Sequence, residues 1–234
     1  MIKKFFIFNI VLALCLHAVS AQSKFKGEWN IGVGFGPTFS NMSIVPTNLS
    51  KSLDTKNISQ FHGGISVRYV SENHLGLWGE LNYSQQGWER DFDNISVEGY
   101  EYTHKLTYLE LPLLTHIYFG SKKFRVYVNL GPKFSYLLSE KETMSDKVAE
   151  DIKNENRIYI GTLDQYNRDV KNKIDYGIMA GLGVELRTGI GNFALEGRYY
   201  MGFGDIWNNN KSDPFSRSAN RGLSARLTYF VKAF

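Results

Sequence analysis

The stretch Ile174-Asp175-Tyr176-Gly177-Ile178-Met179-Ala180-Gly181-Leu182-Gly183-Val184-Glu185-Leu186-Arg187 sorts its side chains into two sets with a period of two. Ile174, Tyr176, Ile178, Ala180, Leu182, Val184 and Leu186 form one face; Asp175, Gly177, Met179, Gly181, Gly183, Glu185 and Arg187 form the other. Successive Cβ atoms of a β-strand point to opposite sides, so this period predicts a strand with one hydrocarbon face and one small or charged face.

The same scheme recurs on either side. Downstream, Phe193, Leu195, Gly197, Tyr199, Met201 and Phe203 oppose Ala194, Glu196, Arg198 and Tyr200, and Leu223, Ala225, Leu227, Tyr229 and Val231 oppose Ser224, Arg226 and Thr228. Upstream, Phe124, Val126, Val128 and Leu130 oppose Arg125, Tyr127, Asn129 and Lys133; Leu109, Leu111, Leu113, Thr115, Ile117 and Phe119 oppose Glu110, His116 and Tyr118. Earlier still, Leu77, Leu81 and Tyr83 oppose Glu80, Asn82 and Ser84; Phe61, Ile65, Val67 and Tyr69 oppose His62, Ser66 and Arg68; Trp29, Ile31, Val33 and Phe35 oppose Asn30, Gly32, Gly34 and Gly36. Eight strands of about 10 to 14 residues are expected, longer than the usual globular strand and suited to crossing a bilayer at a tilt.

The connections carry independent information. Glu72 to Leu75, Gly120 to Lys123 and Thr188 to Asn192 are short; Asn41 to Ser59, Glu89 to Thr103, Ser139 to Asn172 and Asp205 to Ala219 are long and polar. Strict alternation of long and short, with both termini on the short side, is the pattern of an up-and-down barrel with tight periplasmic turns and extended outer loops. A soluble lipocalin-like carrier has a similar strand count but turns its apolar face inward. Its exterior would then be made of Gly32, Gly34, Gly36, Gly177, Gly181 and Gly183, too poor in charge and bulk for a solvated surface. The reading is therefore all-β: an eight-stranded antiparallel transmembrane barrel, monomeric, with the apolar faces toward lipid.

In that arrangement the small residues share a narrow interior with Glu80, Glu110, Arg125, Lys133, Glu185, Arg187, Glu196, Arg198 and Arg226. These nine are expected to form an interior charge network. Eight strands leave a lumen that side chains fill, so no general diffusion pore is expected. Trp29, Tyr69, Tyr83, Trp88, Tyr118, Tyr199, Trp207 and Tyr229 stand near strand ends and are assigned to interfacial girdles.

The chain has 234 residues, 43% hydrophobic and 15% aromatic, with a mean hydropathy of -0.28. Met1 to Ala21 reads as an export signal: Lys3 and Lys4, an apolar run from Phe5 to Leu16, and Val19-Ser20-Ala21 ahead of Gln22. The expected organisation is thus a signal peptide at 1–21 and a barrel domain at 22–234. The lone cysteine, Cys15, falls in the signal, so disulfides and cysteine chemistry are not expected in the mature chain. Beyond the signal no apolar run reaches the length of a membrane-spanning helix. The formal charge of +4 drops to +2 without Lys3 and Lys4, too little to point to nucleic acid.

Five segments in order carry a likeness to a known family: Glu80-Leu81-Asn82-Tyr83-Ser84-Gln85-Gln86-Gly87; Tyr108-Leu109-Glu110-Leu111-Pro112-Leu113-Leu114; Asn129-Leu130-Gly131-Pro132; Asp175-Tyr176-Gly177 with Gly181-Leu182-Gly183-Val184-Glu185; and Leu195-Glu196-Gly197-Arg198-Tyr199. Together they resemble the PorT-like outer-membrane β-barrels, often called simply porin family. The resemblance implies an eight-stranded barrel in the outer membrane of a Gram-negative-type bacterium, in a family whose best-known member supports protein secretion. Gly222, Leu227, Tyr229, Phe230 and Phe234 resemble the last-strand signal that barrel-insertion machinery reads, with the strand ending either at Phe230 or at Phe234.

Chemistry-bearing constellations are sparse. His62, His74, His104 and His116 lack metal partners at ligand spacing, and no serine sits in a nucleophile turn. Catalytic, cofactor and metal residues are accordingly not expected. Partners are expected to be outer-membrane lipid, the insertion machinery and a protein partner met through the outer loops. The longest loop, Ser139 to Asn172, mixes both charges, has a first half suited to a short helix, and exceeds an ordinary connection. Binding through the loops, or a role in envelope assembly or secretion, is the expected function. A lipid-modifying barrel enzyme and a soluble lipocalin-like carrier are the alternatives.

Overall fold

The computed structural model describes residues 27–47, 53–71, 74–92, 98–160 and 162–233, apart from the side chain of Tyr159. The expected signal peptide, Cys15 and Phe234 lie outside the described residues, as do Glu72 and Asn73 of the first short turn. Eight long strands follow in order: β1 (Glu28–Pro46), β2 (Ile58–Val70), β3 (Leu75–Arg90), β4 (Tyr102–Gly120), β5 (Phe124–Met144), β6 (Ile174–Thr188), β7 (Gly191–Gly202) and β8 (Phe215–Lys232). Each is antiparallel to its chain neighbour. The ring closes where β1 pairs with β8, from Asn30 opposite Lys232 to Pro46 opposite Phe215.

Burial along the strands is inverted relative to a water-soluble sheet. Phe35 is 66% exposed, Phe61 69% and Leu182 62%, whereas Arg68, Glu185 and Arg226 are fully buried. The apolar set lies on the outside of the ring, and a face this continuous is stable only against hydrocarbon. The inward set is polar and in places has no side chain at all. A Cβ on Gly181 would stand 1.9 Å from a carboxylate oxygen of Glu196, and one on Gly34 would stand 2.6 Å from Nε of Arg226. Those two glycines make room for the charges opposite them.

Six of the strands outrun the expected 10 to 14 residues, up to 21 in β5, while β2 with 13 and β7 with 12 stay within it. Pairing continues past the apolar band: Asn41 opposes Arg221 on the β1–β8 ladder, and Thr143 opposes Thr103 on the β4–β5 ladder. The long loops are correspondingly shorter than expected, because Asn41 to Pro46, Ser139 to Met144 and Phe215 to Ala219 belong to strands. Phe230 does not end its strand either; β8 runs on to Lys232, and Phe230 faces inward, fully buried.

Beyond the barrel, Thr55–Lys56 pairs with Glu89 and Arg90 at the outer end of β3. The helix expected in the longest loop is present as α1 (Asp146–Lys153), followed by one turn, α2 (Arg157–Ile160). Asp146 in the first turn and Lys153 in the last complement the α1 dipole, and Val148 is fully buried. Among the described residues no helix is long and apolar enough to cross a membrane.

Candidate functional site

Three tiers of polar side chains fill the lumen. Nearest the short turns, Arg68 donates to Glu185 at 2.6 Å, and its guanidinium lies 4.2 Å from the ring centroid of Phe230. In the middle, Arg198 donates to both oxygens of Glu80 at 2.7 and 2.8 Å and to Glu196 at 2.9 Å. Arg226 Nε lies 3.5 Å from the same Glu80 carboxylate, while Asn129 donates to Glu196 at 3.0 Å. Toward the long loops, Lys133 donates to Glu110 at 2.6 Å, Gln86 also donates to Glu110, and the ammonium stands 3.5 Å from the Tyr200 ring centroid. Asp175 accepts there from Tyr200 at 3.1 Å and Asn220 at 3.0 Å.

Buried charges persist when partners neutralise them and hydrogen bonds satisfy the remaining lone pairs. The lumen meets the charge part of that rule, with the cations Arg68, Arg198, Arg226 and Lys133 interleaved with the carboxyl groups of Glu185, Glu80, Glu196, Glu110 and Asp175. Glu185 Oε2, Asp175 Oδ1 and some guanidinium nitrogens have no protein partner among the described residues. The free space among Thr38, His62, Gln86, Lys133 and Tyr200 is a cavity of ≈ 20 Å³. That is close to the volume one water needs and far from a solute path.

Of the nine interior residues expected from sequence, the lumen brings together Glu80, Glu196, Arg198 and Arg226 in one cluster, Glu110 and Lys133 in a second, and Glu185 in a third. Arg125 and Arg187 lie elsewhere, half-buried at the short-turn mouth. There Arg187 holds both oxygens of Glu28 at 2.8 and 3.0 Å, and the Arg125 guanidinium covers Tyr118 at 4.2 Å. The sequence reading left out Arg68, Asp175 and Asn220. Arg68 and Asp175 stand on the inward parity of their strands, which was the available signal.

The long-loop end is closed by a hydrophobic core of its own. Met42, Ile44, Trp88, Tyr102, Leu106 and Leu137 rise from the strands to meet Val148, Ile160, Tyr166, Val170, Ile206 and Trp207 from the loops. Trp207 stacks on Phe215 with centroids 4.7 Å apart and meets Trp88 edge-on at 5.9 Å. Trp88 and Trp207 are fully buried and Tyr118 nearly so, which corrects their assignment to the interfacial girdle; Trp29, Tyr83 and Tyr199 remain outward. The aromatic signal at strand ends is the same for both roles, because both need a large ring with one polar edge.

His104 holds the longest loop to the wall. It is fully buried, stacks on Trp88 at 4.5 Å, and places its two ring nitrogens 3.0 Å from Glu140 and 3.1 Å from Glu142. Those carboxylates also accept backbone N–H groups of the loop, Val170 at 3.1 Å on Glu140 and Asn167 at 3.0 Å on Glu142. Burial pushes the Glu142 carboxyl up, but the hydrogen bonds from His104 and Tyr102 outweigh it and hold the group below the ordinary carboxylate range. Among the described residues no group of three or more His, Cys, Asp or Glu side chains could hold a metal ion.

The family model described as outer membrane protein beta-barrel domain matches residues 20–208. Among solved structures, the outer membrane protein OprG from Pseudomonas aeruginosa is 14% identical, covering 88% of this chain and 93% of its own, with a TM-score of 0.47. Neisserial surface protein A is 11% identical over 86% of this chain and 96% of its own, at 0.40. The outer membrane protease OmpT from Escherichia coli is 10% identical over 91% and 100%, at 0.43. Among curated proteins none matches.

Proposed function

The chain belongs to the outer membrane protein beta-barrel domain family, and from that premise we propose that it is a binding protein of the outer membrane, presenting its outer cap to a protein partner. The observation that carries this reading is the packed core of the cap, in which loop residues Val148, Ile160, Tyr166 and Trp207 are buried against strand residues Trp88 and Tyr102. Loops folded around their own core hold a fixed surface, and a fixed surface binds without the ordering cost that mobile loops incur. The filled lumen supports the same reading, since a ≈ 20 Å³ cavity disfavours solute passage. The five segments that resemble PorT-like barrels support envelope assembly or secretion as the process served.

The test uses a photo-crosslinking amino acid at exposed cap positions Ile158 and Asn209 and, as a control, at lipid-facing Leu182 in intact cells. A protein adduct is expected from the cap positions alone, and it should disappear when Arg157→Glu alters the neighbouring surface. Capture that survives this change, or that arises equally from Leu182, overturns the reading.

A further inference from the structure

The opposite end of the barrel departs from the charge balance of the lumen. Between the short turns lies a cavity of ≈ 830 Å³, open toward the periplasm, whose wall, among the described residues, carries Lys122, Arg125, Arg187 and Lys232 but a single carboxylate, Glu28. Both oxygens of Glu28 are taken by Arg187 at 2.8 and 3.0 Å. Among the described residues no carboxylate is hydrogen-bonded to Arg125; Glu185, opposite it on the β5–β6 ladder, is taken by Arg68 at 2.6 Å. Arg125 is held in place by the face of Tyr118, 4.2 Å away.

That arrangement is costly without a ligand. Arg187, on the same cavity wall, adds a like charge. On the barrel wall Arg68, Arg198 and Arg187 face Glu185, Glu80 and Glu28 in turn, whereas Arg125, like Arg168 of the cap, lies over aromatic rings. The hydroxyl groups of the mouth carry no charge to neutralise it, and Ser71 and Thr188 donate to the backbone oxygens of Leu75 and Gly191 that fix the turns. What remains is a planar guanidinium in a cavity whose wall also carries Lys122 and Lys232.

We propose that this periplasmic mouth is a binding site for a phosphate group, with Arg125 as its fork and Lys122 and Lys232 as flanking charges. An arginine fork matches phosphate oxygens two at a time, and lysines add charge without demanding geometry. The excess of cations suits an anion with several oxygens, a phosphodiester monoanion or a more highly charged phosphate monoester. The phosphate belongs either to an inner-leaflet lipid headgroup or to a free phosphorylated solute of the periplasm; the recognition chemistry is the same. The site is independent of the outer cap, so either can fail alone.

The experiment follows the arginine side-chain Nε–Hε resonances of the ¹⁵N-labelled barrel by NMR. In uncharged detergent, titration with inorganic pyrophosphate should shift the Arg125 resonance saturably, while sodium chloride of equal ionic strength should not. The double variant Lys122→Gln/Lys232→Gln should weaken the response at least ten-fold, and Lys141→Gln at the far rim should leave it unchanged. Arg125→Lys retains the charge without the fork and is expected to weaken binding, followed by isothermal titration. In lipid nanodiscs, an Arg125 shift that appears with phosphatidylglycerol in place of an uncharged, phosphate-free galactolipid, before any pyrophosphate is added, identifies the headgroup as the source; a shift that appears only with pyrophosphate identifies the solute. The absence of a saturable shift in both settings overturns the proposal, as does an affinity indifferent to the Lys122 and Lys232 changes in protein that still shows heat-modifiable migration.

Discussion

Arg198 on β7 grips Glu80 on β3 with both arms of its guanidinium, at 2.7 and 2.8 Å, across a lumen in which these two strands share no ladder. The contact ties opposite walls together at mid-height. Removing one member leaves the other buried and uncompensated, which typically costs about 3 to 5 kcal/mol. Glu80→Ala should therefore lower unfolding stability in detergent by that order, read from urea midpoints. Glu80→Ala/Arg198→Ala should cost less than the sum of the single changes, because both delete the same contact. Strictly additive losses would refute the coupling.

The ≈ 20 Å³ lumen cavity predicts that the purified protein gives no large, stable conductance steps in planar bilayers. Shortening the middle tier with Glu196→Ala should not by itself open a path, since Arg68 with Glu185 and Lys133 with Glu110 still close the lumen on either side. Sustained open steps from the unmodified barrel would contradict the filled interior.

The cap should loosen in acid. The carboxyl of Glu142 titrates below its unfolded value, so its contribution is complete above the ordinary carboxylate pKa and is lost as pH falls through the lowered folded value. Fluorescence of the buried pair Trp88 and Trp207 should report the transition. Glu142→Gln should reduce its amplitude while the barrel stays folded. An unchanged acid transition in that variant would show that the loop is held by other means.

At the outer rim, Lys105 on β4 faces Lys141 on β5 directly across the ladder, both pointing outward. Like charges so placed repel, and opposite charges contribute roughly 0.2 to 1 kcal/mol. Lys141→Glu is expected to raise the melting temperature in zwitterionic micelles. Added salt should erase the difference.

How much of this was legible in the sequence follows from which environment enforces a pattern. Lipid demands hydrocarbon at every second position, so the run from Leu109 to Phe119 announces its strand unaided. Past the bilayer the outward face is wet, carrying Thr103, Lys105 and Thr107 on one strand and Ser139, Lys141 and Thr143 on the next, while the apolar residues Tyr102, Leu106 and Leu137 turn inward to the cap core. The ladder continues there with hydrocarbon on the inner face instead of the outer one, so a reading keyed to a lipid-facing set sets the strand ends too early. Parity places Glu80 and Arg198 in the lumen, but their meeting depends on the stagger of strands far apart in sequence. Trp88 and Trp207 follow the same logic, because burial in the cap arises from loop folding that no local period records.

The ring closes through the two most distant strands, β1 and β8. Its final seam is therefore the contact of highest sequence separation, the slowest kind to form by chance encounter. Until Phe215 to Lys232 is in place, the nascent sheet carries two bare edges, one on β1 and one on β7, each able to zip onto a neighbouring chain. A polypeptide halted after Gly202 would thus be an open, adhesive ribbon, and the time between export and seam closure is the interval in which an escort must shield those edges.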